Sequence, residues 1–189
     1  IQNLKKIVKN CIISDYNINN ITYTDFEYLF LNMRVRSMGE AVEFNTQCEC
    51  CNKPTPVSVD LNGVCTNLEE TDLPETDVML TEDIGVKVCP LKLRDAAAAS
   101  AIAEKDSVQA IMVFIEKVYT KDNVYDFSEA TERERVAFVD SLSLKHVEMI
   151  METINKFPKL KTETNVTCVN CGESFDFEAE GLENFFTSA

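Results

Sequence analysis

The sequence is short of residues that mark many protein classes. Its 189 residues include five glycines, five prolines and one histidine. So little Gly and Pro, with 45% hydrophobic and 26% charged residues, excludes a collagen-like rod, a disordered tail and a low-complexity linker. No run approaches the roughly 18 uninterrupted apolar residues of a bilayer span. The lone histidine, His146, excludes a histidine-rich metal centre. It precedes an apolar stripe that begins at Val147, which places it on the solvent side of a helix and not in the role of a base. There is no Gly-rich phosphate loop, Gly-x-Ser-x-Gly elbow or His-Glu-x-x-His pair. The acid pairs Glu69-Glu70 and Glu82-Asp83 fall in expected turns, where solvation accounts for them. No catalysis and no small-molecule substrate are expected. Positive charge is scarce as well: 18 Lys and Arg against 32 Asp and Glu give a net charge of −14. Such a surface repels phosphate, so nucleic acid is not an expected partner, whereas basic protein surfaces are.

Cysteine, by contrast, is plentiful: Cys11, Cys48, Cys50, Cys51, Cys65, Cys89, Cys168 and Cys171. Four disulfides would suit a small secreted protein. This chain is not small, and it opens Ile-Gln-Asn-Leu-Lys-Lys straight into helical periodicity, without a signal peptide. The missing initiator Met predicts processing or a further segment upstream.

Two Cys-x-x-Cys pairs stand out, Cys48 to Cys51 and Cys168 to Cys171, and their surroundings match. Each follows a β-like approach. In each, the second Cys precedes Asn52 or Gly172, the residue types that best tolerate a left-handed backbone. Each then runs into alternating apolar residues, Val57, Val59 and Leu61 or Phe175, Phe177 and Ala179. Two such knuckles supply four thiolates, the closed shell of a structural zinc site. Cys48, Cys51, Cys168 and Cys171 are therefore the expected ligands of one Zn2+. Iron suits the same donor set, and zinc is the default because nothing else points to electron transfer. Cys50 could pair with Cys48 as Cys-x-Cys, but only Cys51 directly precedes the turn-permissive Asn52, so Cys50 is read as a spectator. Between Cys51 and Cys168 lie 116 residues. A shared ion would pin both ends of that insertion, and binding worth about 10–16 kcal/mol in zinc-finger peptides rivals the stability of a whole domain.

Along the chain, apolar spacing predicts a helix over residues 2–13 and another after a Thr24/Glu27 capping box, ending near Gly39. Strands are expected over 42–46 and 57–61, an acidic loop with Pro74 over 64–77, and a hairpin turning at Glu82-Asp83. Helices are expected over 95–104, through Val108, Ile111, Met112, Ile115, Val118 and Tyr119, after the Thr131/Glu134 box, and from Ser143 to near Pro158. The fold class that follows is α+β: a mostly helical body with a small β zinc-ribbon-like module formed by the two knuckles. The expected domains are N-terminal helices over 1–39, the zinc module from 40–63 with 160–189, and a hairpin plus helical insertion over 64–159. Near the end, adjacent Phe185 and Phe186 either pack back on the zinc module or dock into a partner, and they are the candidate partner-binding residues.

The chain resembles the baseplate hub proteins of T-even-like contractile-tail bacteriophages. The resemblance is carried by residues 7–12 (Ile-Val-Lys-Asn-Cys-Ile), residues 25–39, both knuckles and the closing Gly-Leu-Glu-Asn-Phe-Phe. Cys50 departs from a simple two-pair pattern and leaves the ligand register open to that extent. The resemblance implies a structural or assembly component of the tail baseplate rather than an enzyme. It also implies other baseplate and tail proteins as partners, synthesis in the infected cell's cytoplasm, and a segment before Ile1. The expected function is a virion structural subunit, with a non-virion assembly factor or chaperone of the hub as the alternative. A zinc-dependent nucleic-acid regulator would need basic knuckles, and these carry Lys53 alone. A thiol oxidoreductase would need a βαβ setting for its Cys-x-x-Cys.

Overall fold

A computed structural model describes residues 2–64 and 76–181. The expectations for Cys65, Glu69, Glu70, Pro74, Phe185 and Phe186 lie outside the described residues. The chain divides into two compact units, one comprising Ile1–Ile18, Thr24–Thr71 and Pro158–Ala189, the other Asn19–Tyr23 and Asp72–Phe157.

The first unit holds helix α1 (Gln2–Cys11), helix α2 (Tyr23–Met38) and four strands, β1 (Ala41–Gln47), β2 (Pro54–Asp60), β7 (Lys161–Thr167) and β8 (Ser174–Glu180). Val8 of α1 is fully buried, as are Phe26 and Leu31 of α2. Helix α2 stops at Gly39, whose positive φ of 99° lets its N–H turn back to the Val35 carbonyl at 3.0 Å. Thr24 is not a cap: its hydroxyl donates to the Pro158 carbonyl at 3.1 Å, and Glu27 is buried. Strands β1 and β2 form one antiparallel hairpin, paired from Ala41↔Asp60 to Gln47↔Pro54. Strands β7 and β8 form a second, from Lys161↔Glu180 to Thr167↔Ser174. The hairpins agree residue for residue at an offset of 120 positions in strand bounds, register and six-residue tip. Alternation follows from the pleat, which sends every second side chain to one face. Phe44, Val57, Val59, Val166 and Ala179 point inward and share a core with Leu31, Leu61, Val64 and Leu160. The Phe44 and Phe177 rings meet at 5.3 Å and 57°, one from each hairpin.

The second unit corrects the expectation of a mostly helical body. It contains a four-stranded antiparallel sheet in the order β3-β4-β5-β6, built from β3 (Asp77–Met79), β4 (Ile84–Val88), β5 (Ile115–Thr120) and β6 (Val124–Asp126). Helices α3 (Ala96–Ala103), α4 (Glu132–Asp140) and α5 (Leu144–Asn155) accompany it. Among the described residues there are thus eight strands in three small antiparallel sheets beside five α-helices, a helical turn at 61–64 and two short 3-10 turns. The misreading falls on residues 108–119. Val108 to Val113 coil only into a 3-10 turn (Gln109–Val113), and the chain then extends as β5. Val118 and Tyr119 happen to continue a helical spacing. Both are half-buried on opposite faces of the strand, so no alternation shows. Pairing with β4 on one side and β6 on the other decides the conformation. A register shift between Lys87 and Val88 leaves Glu116 as an extra residue on β5. The core of this unit joins Val86, Val88 and Ile115 of the sheet to Val139, Ile150 and Ile154 of the helices.

Helix starts in this unit follow sequence chemistry closely. Thr131 accepts from the Glu134 N–H while the Glu134 carboxylate accepts from the Thr131 N–H, which completes a capping box. The Ser143 hydroxyl accepts from the His146 N–H at the start of α5. Among the described residues no helix is long and apolar enough to cross a membrane.

Candidate metal centre

The tips of the two hairpins, residues 48–53 and 168–173, are built alike. Cys48 and Cys168 directly follow β1 and β7, and their N–H groups bond the Lys53 and Glu173 carbonyls at 3.0 and 2.8 Å, closing each ladder. The chain then reverses, and the N–H groups of Asn52 and Gly172 return to the Cys48 and Cys168 carbonyls at 2.8 and 2.9 Å. That closure needs a left-handed residue, and Asn52 (φ 53°) and Gly172 (φ 77°) supply it. The reversal aims both sulfurs of a tip the same way.

The two tips bring their sulfurs together. Cys48 Sγ lies 3.7 Å from Cys171 Sγ, Cys51 Sγ lies 3.7 Å from Cys168 Sγ, and all four lie within 4.8 Å of one another. A disulfide would hold its sulfurs at about 2.05 Å. A tetrahedron with metal–sulfur bonds of about 2.3 Å has edges of about 3.8 Å. The spacing fits the second, so the four residues can hold a metal ion in a closed four-sulfur shell. Cys48 and Cys168 are buried, Cys51 is half-buried and Cys171 faces solvent. Cys50 is exposed and outside the cluster, and so is Cys11. Cys89 belongs to the other unit.

Two residues other than the cysteines complete the surroundings. Thr55, fully buried on β2, donates its hydroxyl to Cys168 Sγ of the opposite tip at 3.1 Å. Asn170 donates its backbone N–H to the same sulfur at 3.4 Å, and its side-chain amide donates to the Pro54 carbonyl at 3.1 Å, tying tip to tip. No local signal marks Thr55, because its partner lies 113 positions away. The donors separate the thiols. The Thr55 hydroxyl, with the N–H groups of Asn170 and Cys171, brings Cys168 down to about 5 despite its burial. At Cys171 the Glu173 N–H pulls down, but burial and the three neighbouring sulfurs push it up to about 12. Cys51 is raised too: the Lys53 N–H lowers it, and burial with Cys168 and Cys48 outweighs that. One thiolate therefore forms readily, and further negative charge beside it is resisted. A cation among the sulfurs reverses that resistance, which is how metal binding drives proton release from such sites.

Fold and site together define a two-unit α+β protein whose four clustered cysteines could hold a metal ion. Residues 1–187 match the family described as T4 bacteriophage base plate protein, and the chain belongs to that family. Comparison with curated proteins and with solved structures gave no match.

Proposed function

We propose that this chain is a structural subunit of the phage tail baseplate, at or beside the hub, and that one Zn2+ held by Cys48, Cys51, Cys168 and Cys171 clamps its first unit. The reading rests above all on four sulfurs gathered from two distant tips in a chain of the base plate family. A closed shell leaves no coordination position for a substrate, so the metal acts on shape and the protein acts through surfaces offered to neighbouring tail proteins. Synthesis in the infected cell and residence in the virion tail follow from that role. Zinc is preferred to iron because, among the described residues, nothing beside the cluster points to electron transfer.

The test has two parts. Elemental analysis of the purified protein should find about one zinc per chain, without the visible absorption of an iron–thiolate centre. Mass spectrometry of purified tails should find the chain among the baseplate proteins. Its absence from mature tails together with its presence on hub intermediates would instead establish an assembly factor. Absence from both would end the reading.

A further inference from the structure

The second unit contains a cavity of about 450 Å3, within the range of small-ligand sites, whose lining is not that of an ordinary surface dent. Its floor is apolar, from Ile102, Met112, Ile115 and Phe127. Three cations, Lys92, Arg94 and Arg135, stand around it with four carboxylates. Most of those carboxylates are already engaged. Asp95 pairs with Arg94 at 3.4 Å, Glu116 on the β5 bulge pairs with Lys87 at 3.4 Å, and Asp126 accepts from the Ser128 hydroxyl and N–H at 2.6 and 2.8 Å. Lys92 and Arg135 make no ion pair with a described residue. The Arg135 Nε is sealed from solvent with no hydrogen-bond partner, an arrangement that is costly and rare in a finished fold.

From these groups we propose that the cavity binds a monocarboxylate on a short apolar stem. The carboxylate pairs with the Arg135 guanidinium and the Lys92 ammonium, and the stem lies on the Met112, Ile115 and Phe127 floor. A planar guanidinium donates two parallel hydrogen bonds to a carboxylate. Asp126 and Glu132 on the rim disfavour a second negative charge, which selects a carboxylate over a phosphate dianion. The ligand chemistry is shared by a free aliphatic acid and by the C-terminal carboxylate of a polypeptide. The inference depends neither on the metal centre nor on a place in the tail.

Half-buried Cys89 lines the cavity and serves as its reporter. The experiment follows alkylation of Cys89 by iodoacetamide, peptide by peptide, in the full metal-loaded chain. One arm adds hexanoate, with methyl hexanoate as the neutral control. The other adds a short peptide ending in a free leucine carboxylate, with its amide as control. The proposal expects one or both acids to slow Cys89 alkylation while the neutral controls do not. Hexanoate alone would identify a free acid, and the peptide alone a chain terminus. Protection should weaken about tenfold in affinity in Arg135→Met and in Lys92→Met, each checked for folding by circular dichroism melting. If one variant does not fold, the other carries the test. Failure of both acids, equal protection by the neutral controls, or full protection in the folded variants would overturn the proposal.

Discussion

The sharpest consequence of a shared ion concerns where stability is lost when it is removed. In a Cys51→Ser, Cys171→Ser double variant each tip retains one sulfur of the cluster, Cys48 or Cys168, and the four-sulfur shell is gone. Each hairpin is then a two-stranded sheet, a structure marginal by itself in water. The first unit loses the cross-link that closes the 116 residues between Cys51 and Cys168. A covalent link over a loop of about 100 residues is worth about 4.7 kcal/mol through the unfolded chain alone. Zinc binding in small peptides reaches about 10–16 kcal/mol. Even the smaller figure, at about 4–8 °C per kcal/mol for a unit of this size, lowers the melting of the hairpins by roughly 20 °C or more. The second unit has its own sheet and core, so its loss should be far smaller. Hydrogen exchange read by mass spectrometry checks both halves at once. Amides of β1, β2, β7 and β8 should lose protection while those of β4, β5 and α5 keep it, and bound metal should fall to near zero. Cys50→Ser, at an exposed position outside the cluster, should keep its metal and stay within about 0.5 kcal/mol of wild type. Equal metal in the double variant and wild type, or exchange rising alike in β4, β5, α5 and the hairpins, would refute the clamp.

Smaller perturbations probe single contacts. Thr55→Val keeps the buried shape but removes the donor to Cys168 Sγ, and should weaken metal affinity about 10–100-fold in competition with a chelator. Gly85 pairs with Tyr119 across β4 and β5, and a Cβ there would run into the Tyr119 ring. Gly85→Ala should therefore cost about 1–3 kcal/mol in urea unfolding. Thr131→Ala removes the α4 cap and should cost about 1 kcal/mol. The Thr131 hydroxyl and N–H also hold the Glu134 carboxyl below its ordinary value of 4.5. The stability they confer is complete above that value and is lost as pH falls through the lowered one. The urea midpoint of wild type should consequently fall more than that of Thr131→Ala between pH 7 and strongly acid solution, and equal losses would refute the assignment.

How much of this could be read from the residues depends on how far apart the partners lie. Asn52 and Gly172 mark where the chain must reverse, and each sits beside the cysteine it presents, so the four sulfurs were legible as two matched local signals. The Thr131 and Ser143 caps are equally local: donor and acceptor stand within one turn. The sequence reading failed where long-range pairing outweighs spacing. Ile115, Val118 and Tyr119 fit a helix as well as a strand until β4 and β6 flank them. The Thr24/Glu27 box is indistinguishable in sequence from the one at Thr131, yet Thr24 is drawn to Pro158, 134 positions away. Thr55 looks like any strand threonine for the same reason.

The 120-position correspondence between the hairpins gives that distance dependence a physical meaning. The two tips share backbone geometry, because reversal and sulfur presentation are local requirements, and each must satisfy them alone. Their side chains differ where one tip must meet the other. Thr55 on β2 is buried against Cys168, whereas its counterpart on β8, Phe175, is half-buried on the core. Asn170 reaches Pro54, whereas its counterpart in the first tip is the exposed Cys50. The pair of knuckles is therefore symmetric in what holds each sulfur and asymmetric in what holds the tips together. An ion bound by the four sulfurs would tolerate that asymmetry, because it requires only their positions. The Asn170 contact does not, so exchanging the two six-residue tips, which leaves Thr55 on β2 but takes Asn170 away from Pro54, should preserve metal stoichiometry while lowering affinity.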